Sequence, residues 1–431
     1  RAGLFAAVML GTCTRFLVTG CRAGFDAPMT FWTTAAFWAF LRGFPLHGPA
    51  DARSSRWQAA GFALAGVAVI TKGVGAVLFL LGITAALLAL RDREGWRRVA
   101  WGPGLLALTA VLAAWILPVA LCAPPDYVEG LLFRQTVTRA FDPWTHLRPW
   151  HYYLGRLPLN FLPWTPVLGI AVWLGARTLL RPADPDRRGL VVLLAVLAST
   201  FVFFSVLPAK RDLYLVPALP WLSLWAGWGT MKALEGEGGA GLRATLGLVL
   251  GAAALAGAAL WAWPHLPGPS RPGLGVGEVT VEVLGVLAWP ARGIGALLIA
   301  GAAAGALALR HGRSGVALCV FALALVPAWN VYRAAVRPPL ASLDSGRDLA
   351  ARIERWSDDG DAVLAYGPYD EGVPYYLGRP VEPASDPERV AERLRGSPRV
   401  LVVTTRTGEA ELRAALPAAS LVEVDAAVMD G

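Results

Sequence analysis

Uninterrupted apolar stretches constrain this chain more than any other feature of its sequence. A helix needs roughly 20 apolar residues to cross the hydrocarbon core of a bilayer, and several stretches reach that length between charged clusters. Only 16% of the 431 residues are charged, whereas soluble domains carry about 25%. This composition excludes an ordinary cytosolic enzyme. The sequence therefore predicts an all-α polytopic membrane protein.

Eleven stretches are candidate membrane spans, and the loops between them indicate their orientation. The predicted spans are 1–19, 27–42, 58–71, 73–90, 99–121, 158–180, 189–207, 213–231, 244–263, 283–309 and 315–334. Basic residues concentrate in alternate connections, which the positive-inside rule places in the cytoplasm. An odd number of spans from a cytoplasmic start then brings the C-terminal tail to the outer side of the membrane.

The chain divides into two parts of opposite charge. From Pro338 onward there are 10 Arg and 17 Asp or Glu, whereas the preceding part has a net charge of +15. A basic membrane part suits cytoplasmic loops and contact with anionic membrane lipids, so nucleic acid is an unnecessary partner. In the tail, 362–366 and 399–404 are predicted strands and 386–395 a helix. We predict a transmembrane domain over 1–336 and a small soluble α/β domain over 337–431.

Several cations on the predicted outer side of the membrane break the charge rule. The 122–157 loop carries Arg134, Arg139, Arg148 and Arg156, and the 208–212 link carries Lys210 and Arg211. Lys72, one of only three lysines, separates two apolar runs. An anionic ligand at the outer membrane surface would explain these cations, because a phosphate needs compensating positive charge.

Each of these polar groups also has a simpler interpretation. Asp26 precedes Pro28 at the start of a span, where it can act as a base, bind a metal or cap the helix. Lys72 suits a phosphate oxygen, and the simpler alternative is that its side chain extends to the membrane interface. The stretch 207–220, with Lys210 and Tyr214, can clamp an anion or form a plain interfacial turn.

Metal binding is only weakly indicated. His146 and His151 are five residues apart in a loop broken by proline, which is poor spacing for a metal site. The four cysteines lack the spacing of metal ligands and are typical of helix packing. We assign no metal ligand, and the need for a divalent metal stays open.

The order of these motifs resembles the bacterial branch of the class C glycosyltransferases. This branch includes protein O-mannosyltransferase-like proteins and the aminoarabinose transferases that modify lipid A. The matching motifs, within residues 1–230, are Asp26, 71–73, Arg139 with 149–153, 163–164, and Lys210 with 214–220.

The resemblance implies an inverting transfer of a sugar from a polyprenyl-phosphate donor to an extracytoplasmic acceptor, either lipid A, another glycolipid or a protein. The residues that would serve it are Lys72, Arg139 and Tyr214 at the donor phosphate, Lys210 and Arg211 beside them, and Asp26 as a second acidic position and candidate catalytic residue. Fixed cations stabilise the negative charge that grows on the phosphate as the sugar leaves, which lowers the barrier.

One departure from the family pattern leaves two other functions open. The family begins with two further spans, which would make about thirteen, and a first outer loop with the main catalytic Asp. We expect that this chain starts at the third helix, which leaves Asp26 a poor substitute for that main catalytic Asp.

A polyprenyl-phosphate flippase or transporter would place charges deep within spans and show internal pseudo-symmetry. The other alternative is a catalytically inactive membrane scaffold.

Overall fold

The computed structural model describes residues 1–44, 52–130, 147–265, 278–344, 346–358, 361–367, 372–396 and 399–416. The chain forms two compact units. One contains Arg1–Ala258 with Gly295–Trp329, and the other contains Ala259–Ile294 with Asn330–Gly431. The predicted domain boundary after residue 336 stays a prediction.

The membrane part of the chain is helical, as its apolar composition requires. Its helices are α1 Ala2–Thr12, α2 Thr14–Gly20, α3 Asp26–Gly43, α4 Ala52–Thr71, α5 Gly75–Leu90, α6 Arg93–Arg98, α7 Trp101–Cys122, α8 Pro125–Glu129, α9 Tyr152–Asn160, α10 Thr165–Leu179, α11 Arg187–Val206, α12 Leu219–Leu234, α13 Gly239–Ala262, α14 Glu278–Arg310, α15 Ser314–Val331 and α16 Arg337–Asp344. In a bilayer the helix satisfies its own backbone polar groups, so apolar side chains can cover it on all sides.

Five helices among the described residues are long and apolar enough to cross a membrane. They are Trp101–Cys122, Arg187–Val206, Gly239–His265, Gly285–Arg310 and Ser314–Leu340. The bent pairs α1 with α2 and α9 with α10 raise this number to seven if each pair forms one span. Helices also occupy the other four predicted spans, but they are shorter or less apolar. The count of eleven spans therefore stays a prediction.

Three predicted spans differ in detail from single straight helices. The span 1–19 bends by 65° between α1 and α2, and the span 158–180 is replaced by α9 and α10, which meet at 111°. Pro163 lies at the second bend. Proline has no backbone N–H to donate, so it is disfavoured in the interior of a helix. The span 213–231 begins as a 3-10 helix over Asp212–Ala218 before α12. Pro217 lies within that turn, and Pro220 fits the first turn of α12.

An aromatic cluster holds four of these helices together. Phe37 on α3 packs edge-to-face against Phe79 on α5 at 5.1 Å and against Trp221 on α12 at 4.9 Å. Phe62 on α4 contacts Phe79 in the same geometry at 5.3 Å. Edge-to-face pairs add specific orientation to the area that they bury. This cluster fixes α3, α4, α5 and α12, whose ends carry the candidate site.

The tail contains the predicted α/β domain. Its elements are α17 Gly346–Trp356, β1 Ala362–Tyr366, α18 Val373–Leu377, β2 Glu382–Ala384, α19 Pro387–Gly396, β3 Val400–Thr404 and α20 Arg406–Ala415. The three strands form one parallel sheet in the order β2-β1-β3, with Leu364 opposite Glu382 and Ala362 opposite Val400. The predicted strands and the helix near 386–395 are confirmed to within one residue.

Candidate functional site

An ion pair joins the start of α3 to the end of α4. The Lys72 ammonium donates to Oδ1 of Asp26, the first residue of α3. Lys72 immediately follows α4, and its backbone carbonyl accepts from Gly75 N at 3.2 Å, which turns the chain into α5. The Asp26 carboxylate is mostly buried, whereas the Lys72 side chain is 31% exposed. The residue that precedes α3 as its N-cap is Phe25, so the Asp26 carboxylate serves the ion pair.

Tyr214 completes this cluster from a third segment. The 3-10 helix Asp212–Ala218 places its ring against Lys72, with the ammonium nitrogen 4.9 Å from the ring centroid. On its other side the ring stacks on Phe204 at 5.7 Å. A cation over an aromatic face is attracted by the ring quadrupole. Three residues that were predicted from separate motifs therefore meet at one place.

Asp212, next to this cluster, binds two arginines and a tyrosine. Its carboxylate accepts from Arg15 Nη2 at 2.9 Å and from the Tyr152 hydroxyl at 2.8 Å, and Arg156 Nε lies 3.4 Å away. Arg15 also donates to Asn160 Oδ1 at 2.6 Å. The sequence analysis treated Asp212 only as part of the 207–220 stretch and gave it no partner, although an arginine within an apolar segment needs an acidic partner. The need of Arg15 for an acidic partner was the sequence signal that could have pointed to Asp212.

Lys210, predicted either to clamp an anion or to lie in an interfacial turn, binds backbone carbonyl oxygens. Only 4% of the residue is exposed, and its ammonium donates to the carbonyl oxygens of Leu207 and, at 3.1 Å, of Arg148. Burial lowers the pKa of Lys210. Residues Leu147 and Ala209 form an antiparallel bridge beside it. Two of its three N–H groups thus tie the 147–148 segment to the 208–210 link. Its predicted contact with a donor phosphate stays a prediction.

The other predicted site groups fall into two sets. The Arg211 side chain is exposed, and its carbonyl oxygen accepts from the Tyr153 hydroxyl at 3.3 Å. Arg134, Arg139 and His146 lie outside the described residues, so the role of Arg139 at a phosphate stays a prediction. Over the described ranges, no group of three His, Cys, Asp or Glu side chains is placed to hold a metal ion.

Chemically, the cluster of Asp26, Lys72 and Tyr214 offers a half-buried ammonium and a phenolic hydroxyl at the ends of predicted membrane spans. An ammonium in such a place is a compact donor for phosphate oxygens. The neighbouring carboxylate keeps the cluster charge-compensated when no anion is present. The arrangement suits the binding of an anionic headgroup whose negative charge grows during a reaction.

Comparisons with known proteins agree on one group of enzymes. Residues 1–133 match the family model for dolichyl-phosphate-mannose-protein mannosyltransferase. The chain is 31% identical over 314 residues to the undecaprenyl phosphate-alpha-4-amino-4-deoxy-L-arabinose arabinosyl transferase of Edwardsiella ictaluri (strain 93-146), covering 70% of this chain and 52% of that protein. The similarly named enzyme of Pseudomonas aeruginosa (strain LESB58) is 33% identical over 248 residues, covering 55% and 42%. The chain thus spans about half the length of the curated relatives that it matches.

Solved structures show the same fold. The crystal structure of ArnT from Cupriavidus metallidurans bound to undecaprenyl phosphate superposes with a TM-score of 0.70 at 21% identity, covering 94% of this chain and 70% of that one. The apo structure of the same protein gives a TM-score of 0.69 and covers 97% and 75%.

Proposed function

We propose that this chain, an aminoarabinose transferase-like polytopic membrane protein with the class C glycosyltransferase fold, transfers a sugar from a polyprenyl-phosphate donor to an extracytoplasmic acceptor. The cluster of Asp26, Lys72 and Tyr214 is the observation that carries this proposal. The curated relatives are named for transfer of an aminoarabinose from undecaprenyl phosphate, and the structural neighbour binds that carrier. The acceptor is lipid A, another glycolipid or a protein.

In this proposal Lys72 and Tyr214 hold the donor phosphate. When the bond between sugar and phosphate breaks, negative charge accumulates on the phosphate oxygens. The Lys72 ammonium stabilises this transition-state charge more strongly than it stabilises the bound donor. The Asp26 carboxylate binds the same ammonium as the phosphate does, and it holds the Lys72 side chain in place. Arg139 supplies a further cation, and Lys210 and Arg211 border the same region.

The proposed location follows from the charge pattern of the loops. The chain crosses a bacterial inner membrane several times, with Lys72 and the 208–212 link at the periplasmic face. The tail from residue 337 forms a soluble domain on that same side. A periplasmic site suits acceptors that are lipids or proteins outside the cytoplasm.

Replacement of Lys72 by alanine tests the proposal. The assay measures transfer from a polyprenyl-phosphate sugar by the full-length protein in liposomes. We expect kcat/KM to fall about 100-fold or more, because a charge-stabilising group at the reacting phosphate is removed.

Lys232→Ala is the matched control. Lys232 also forms an ion pair with an aspartate, Asp186, at 2.9 Å, and it is the same residue type in the same unit. We expect this variant to retain most of the transfer activity. Unchanged transfer in Lys72→Ala would contradict the proposed site, and equal losses in both variants would indicate a general effect on folding.

A further inference from the structure

An open pocket of about 370 Å³ lies at the start of α4, lined by Arg53, Arg56, Trp57 and Ala60. Both arginines are exposed and are three residues apart, so they lie on the same side of the helix. Trp57 is partly buried and forms the apolar wall of the pocket. None of these residues belongs to the candidate sugar-transfer site.

The end of α3 adds a third guanidinium and a second indole. Arg42 has its guanidinium carbon 4.9 Å from the ring centroid of Trp57 and 5.6 Å from that of Trp38. The two indoles meet edge-to-face at 5.4 Å. We call the five residues Trp38, Arg42, Arg53, Arg56 and Trp57 the tryptophan–arginine patch.

The backbone beneath the patch is held in place by close contacts. A Cβ on Gly43 would meet the Ser54 carbonyl oxygen, and a Cβ on Gly61 would lie 2.8 Å from the Ala36 carbonyl oxygen, so α3 and α4 touch. Gln58, 1% exposed, donates to Gly43 O at 3.1 Å and accepts from Ala100 N at 2.8 Å. This buried amide fixes α3, α4 and the start of α7 to one another. The patch is therefore preorganised.

The patch carries an excess of positive charge. Residues 42–57 contain three arginines and a single acidic residue, Asp51. Over the described part of the chain, none of the three guanidinium groups forms a salt bridge. Positive side chains that gather without acidic partners are favoured where an anion can approach.

The patch and Lys72 lie at opposite ends of the predicted span 58–71, which is part of α4. Trp57 and Lys72 are 15 residues apart (72 − 57) along this helix, which at 1.5 Å per residue separates them by about 22 Å, most of the roughly 30 Å of a hydrocarbon core. Lys72 follows the far end of this helix, so the predicted span and orientation put the patch at the opposite face of the bilayer. Tryptophan and arginine together are typical of the membrane interface.

We propose that the tryptophan–arginine patch binds the phosphate of an anionic phospholipid headgroup in the leaflet opposite the candidate transfer site. The guanidinium groups of Arg53 and Arg56 hold the phosphate oxygens, and Arg42 lies against the indoles at the rim. The indoles of Trp57 and Trp38 pack against the glycerol backbone at the interface. This lipid site is independent of the proposed sugar transfer.

The test compares lipid binding to the purified full chain and to two double variants by native mass spectrometry. The probes are phosphatidylglycerol and phosphatidylcholine at equal concentrations, with inorganic phosphate as a competitor in a separate arm. Arg53→Gln with Arg56→Gln removes two charges from the patch. Arg310→Gln with Arg313→Gln removes two exposed arginines from another loop predicted to be cytoplasmic.

We expect the wild-type chain to bind phosphatidylglycerol in preference to phosphatidylcholine. The patch variant should bind phosphatidylglycerol roughly 30-fold more weakly, about fivefold for each guanidinium, and the control should bind it like the wild type. Equal weakening in both variants would overturn the proposal in favour of general attraction to a basic face. Displacement of the lipid by millimolar phosphate would overturn the headgroup assignment and indicate a site for free anions. Unchanged binding in the patch variant would overturn the site itself.

Discussion

Charged side chains at membrane edges are costly, and in this protein they are stabilised by specific partners. The sequence predicts Asp26, Lys72 and Tyr214 as polar groups at a membrane edge, and the structure brings the three together. The sequence could not predict that the Asp26 carboxylate binds Lys72, since capping of the following helix explained an acidic residue at this position equally well. An acidic partner for Arg15 could be expected from the sequence, but its identity could not, because 197 residues separate Arg15 from Asp212 and only the fold joins them.

A double-mutant cycle on Arg15 and Asp212 measures how strongly this pair holds the 3-10 helix. Both side chains are about one fifth exposed, which reduces the energy of the pair. We expect Arg15→Met and Asp212→Asn each to lower the free energy of unfolding in detergent by about 1–3 kcal/mol, with a coupling energy of about 1 kcal/mol. A coupling energy near zero would show that Arg156 and Tyr152 suffice to hold Asp212.

Asp92, which precedes α6, gives the stability of the protein a dependence on acidic pH. Burial favours the neutral carboxyl, but the Gly95 amide and the guanidinium groups of Arg98 and Arg188 outweigh it and lower its pKa. A lowered folded-state pKa contributes stability that is complete above the unfolded pKa of about 3.9 and is lost as pH falls through the folded value.

We therefore expect the wild-type unfolding temperature in detergent to fall below pH 4 more steeply than that of Asp92→Asn. The variant should be less stable than the wild type at neutral pH, and the difference between them should shrink on acidification. Parallel curves for the two proteins would mean that the Asp92 contacts contribute nothing to the acid dependence.

At the scale of elements, hydrophobicity predicted where helices form better than it predicted their ends and bends. Helices occur at all eleven predicted spans, because length and apolar composition are local properties. The bends were missed, since both halves of a bent pair are apolar and only the tertiary packing decides whether the chain continues straight. In the stretch 213–231 the prolines Pro217 and Pro220 marked the change from 3-10 to α-helix, and a hydropathy pattern alone ignores this signal.

The contact between α3 and α4 depends on a glycine at their interface. A Cβ on Gly61 would lie 2.8 Å from the Ala36 carbonyl oxygen, which is backbone and cannot move aside. We expect Gly61→Ala to lower the free energy of unfolding by about 1–3 kcal/mol, as overpacking does. Gly247→Ala on α13 is the control, because a Cβ there meets nothing within 4 Å. A loss in the control as large as that in Gly61→Ala would show that the α3–α4 contact is not the cause.

At the scale of the whole molecule, the order of motifs was more informative than any single motif. Each short match is loose, but Asp26, Lys72, Lys210 and Tyr214 in sequence predicted a resemblance with which the sequence similarity to the aminoarabinose transferases and the shared fold both agree. The alternation of helix and strand patterns in the tail predicted the small α/β domain, whose parallel sheet is observed. The acceptor was not predictable, since a single chain carries no motif that marks an acceptor pocket. The Lys210 ammonium, which binds carbonyl oxygens, shows that a cation in a motif can also stabilise the backbone.

The orientation of the whole protein is open to a direct test by cysteine labelling. The four native cysteines are first replaced, and single cysteines are introduced by Gly73→Cys, Glu94→Cys, Arg139→Cys or Arg395→Cys. Gly73, Glu94 and Arg395 are exposed. A membrane-impermeant maleimide is then added to intact spheroplasts or to inverted membrane vesicles.

We expect the cysteines at 73, 139 and 395 to react in spheroplasts and the cysteine at 94 to react only in inverted vesicles. The physical reason is the asymmetry of basic loops, which retains the Arg-rich segment 91–98 in the cytoplasm. Reaction of positions 73 and 139 from opposite sides would leave no shared phosphate site for Lys72 and Arg139. Reaction of positions 73 and 94 from the same side would contradict a bilayer crossing by α5 and, with it, the positive-inside orientation of the chain.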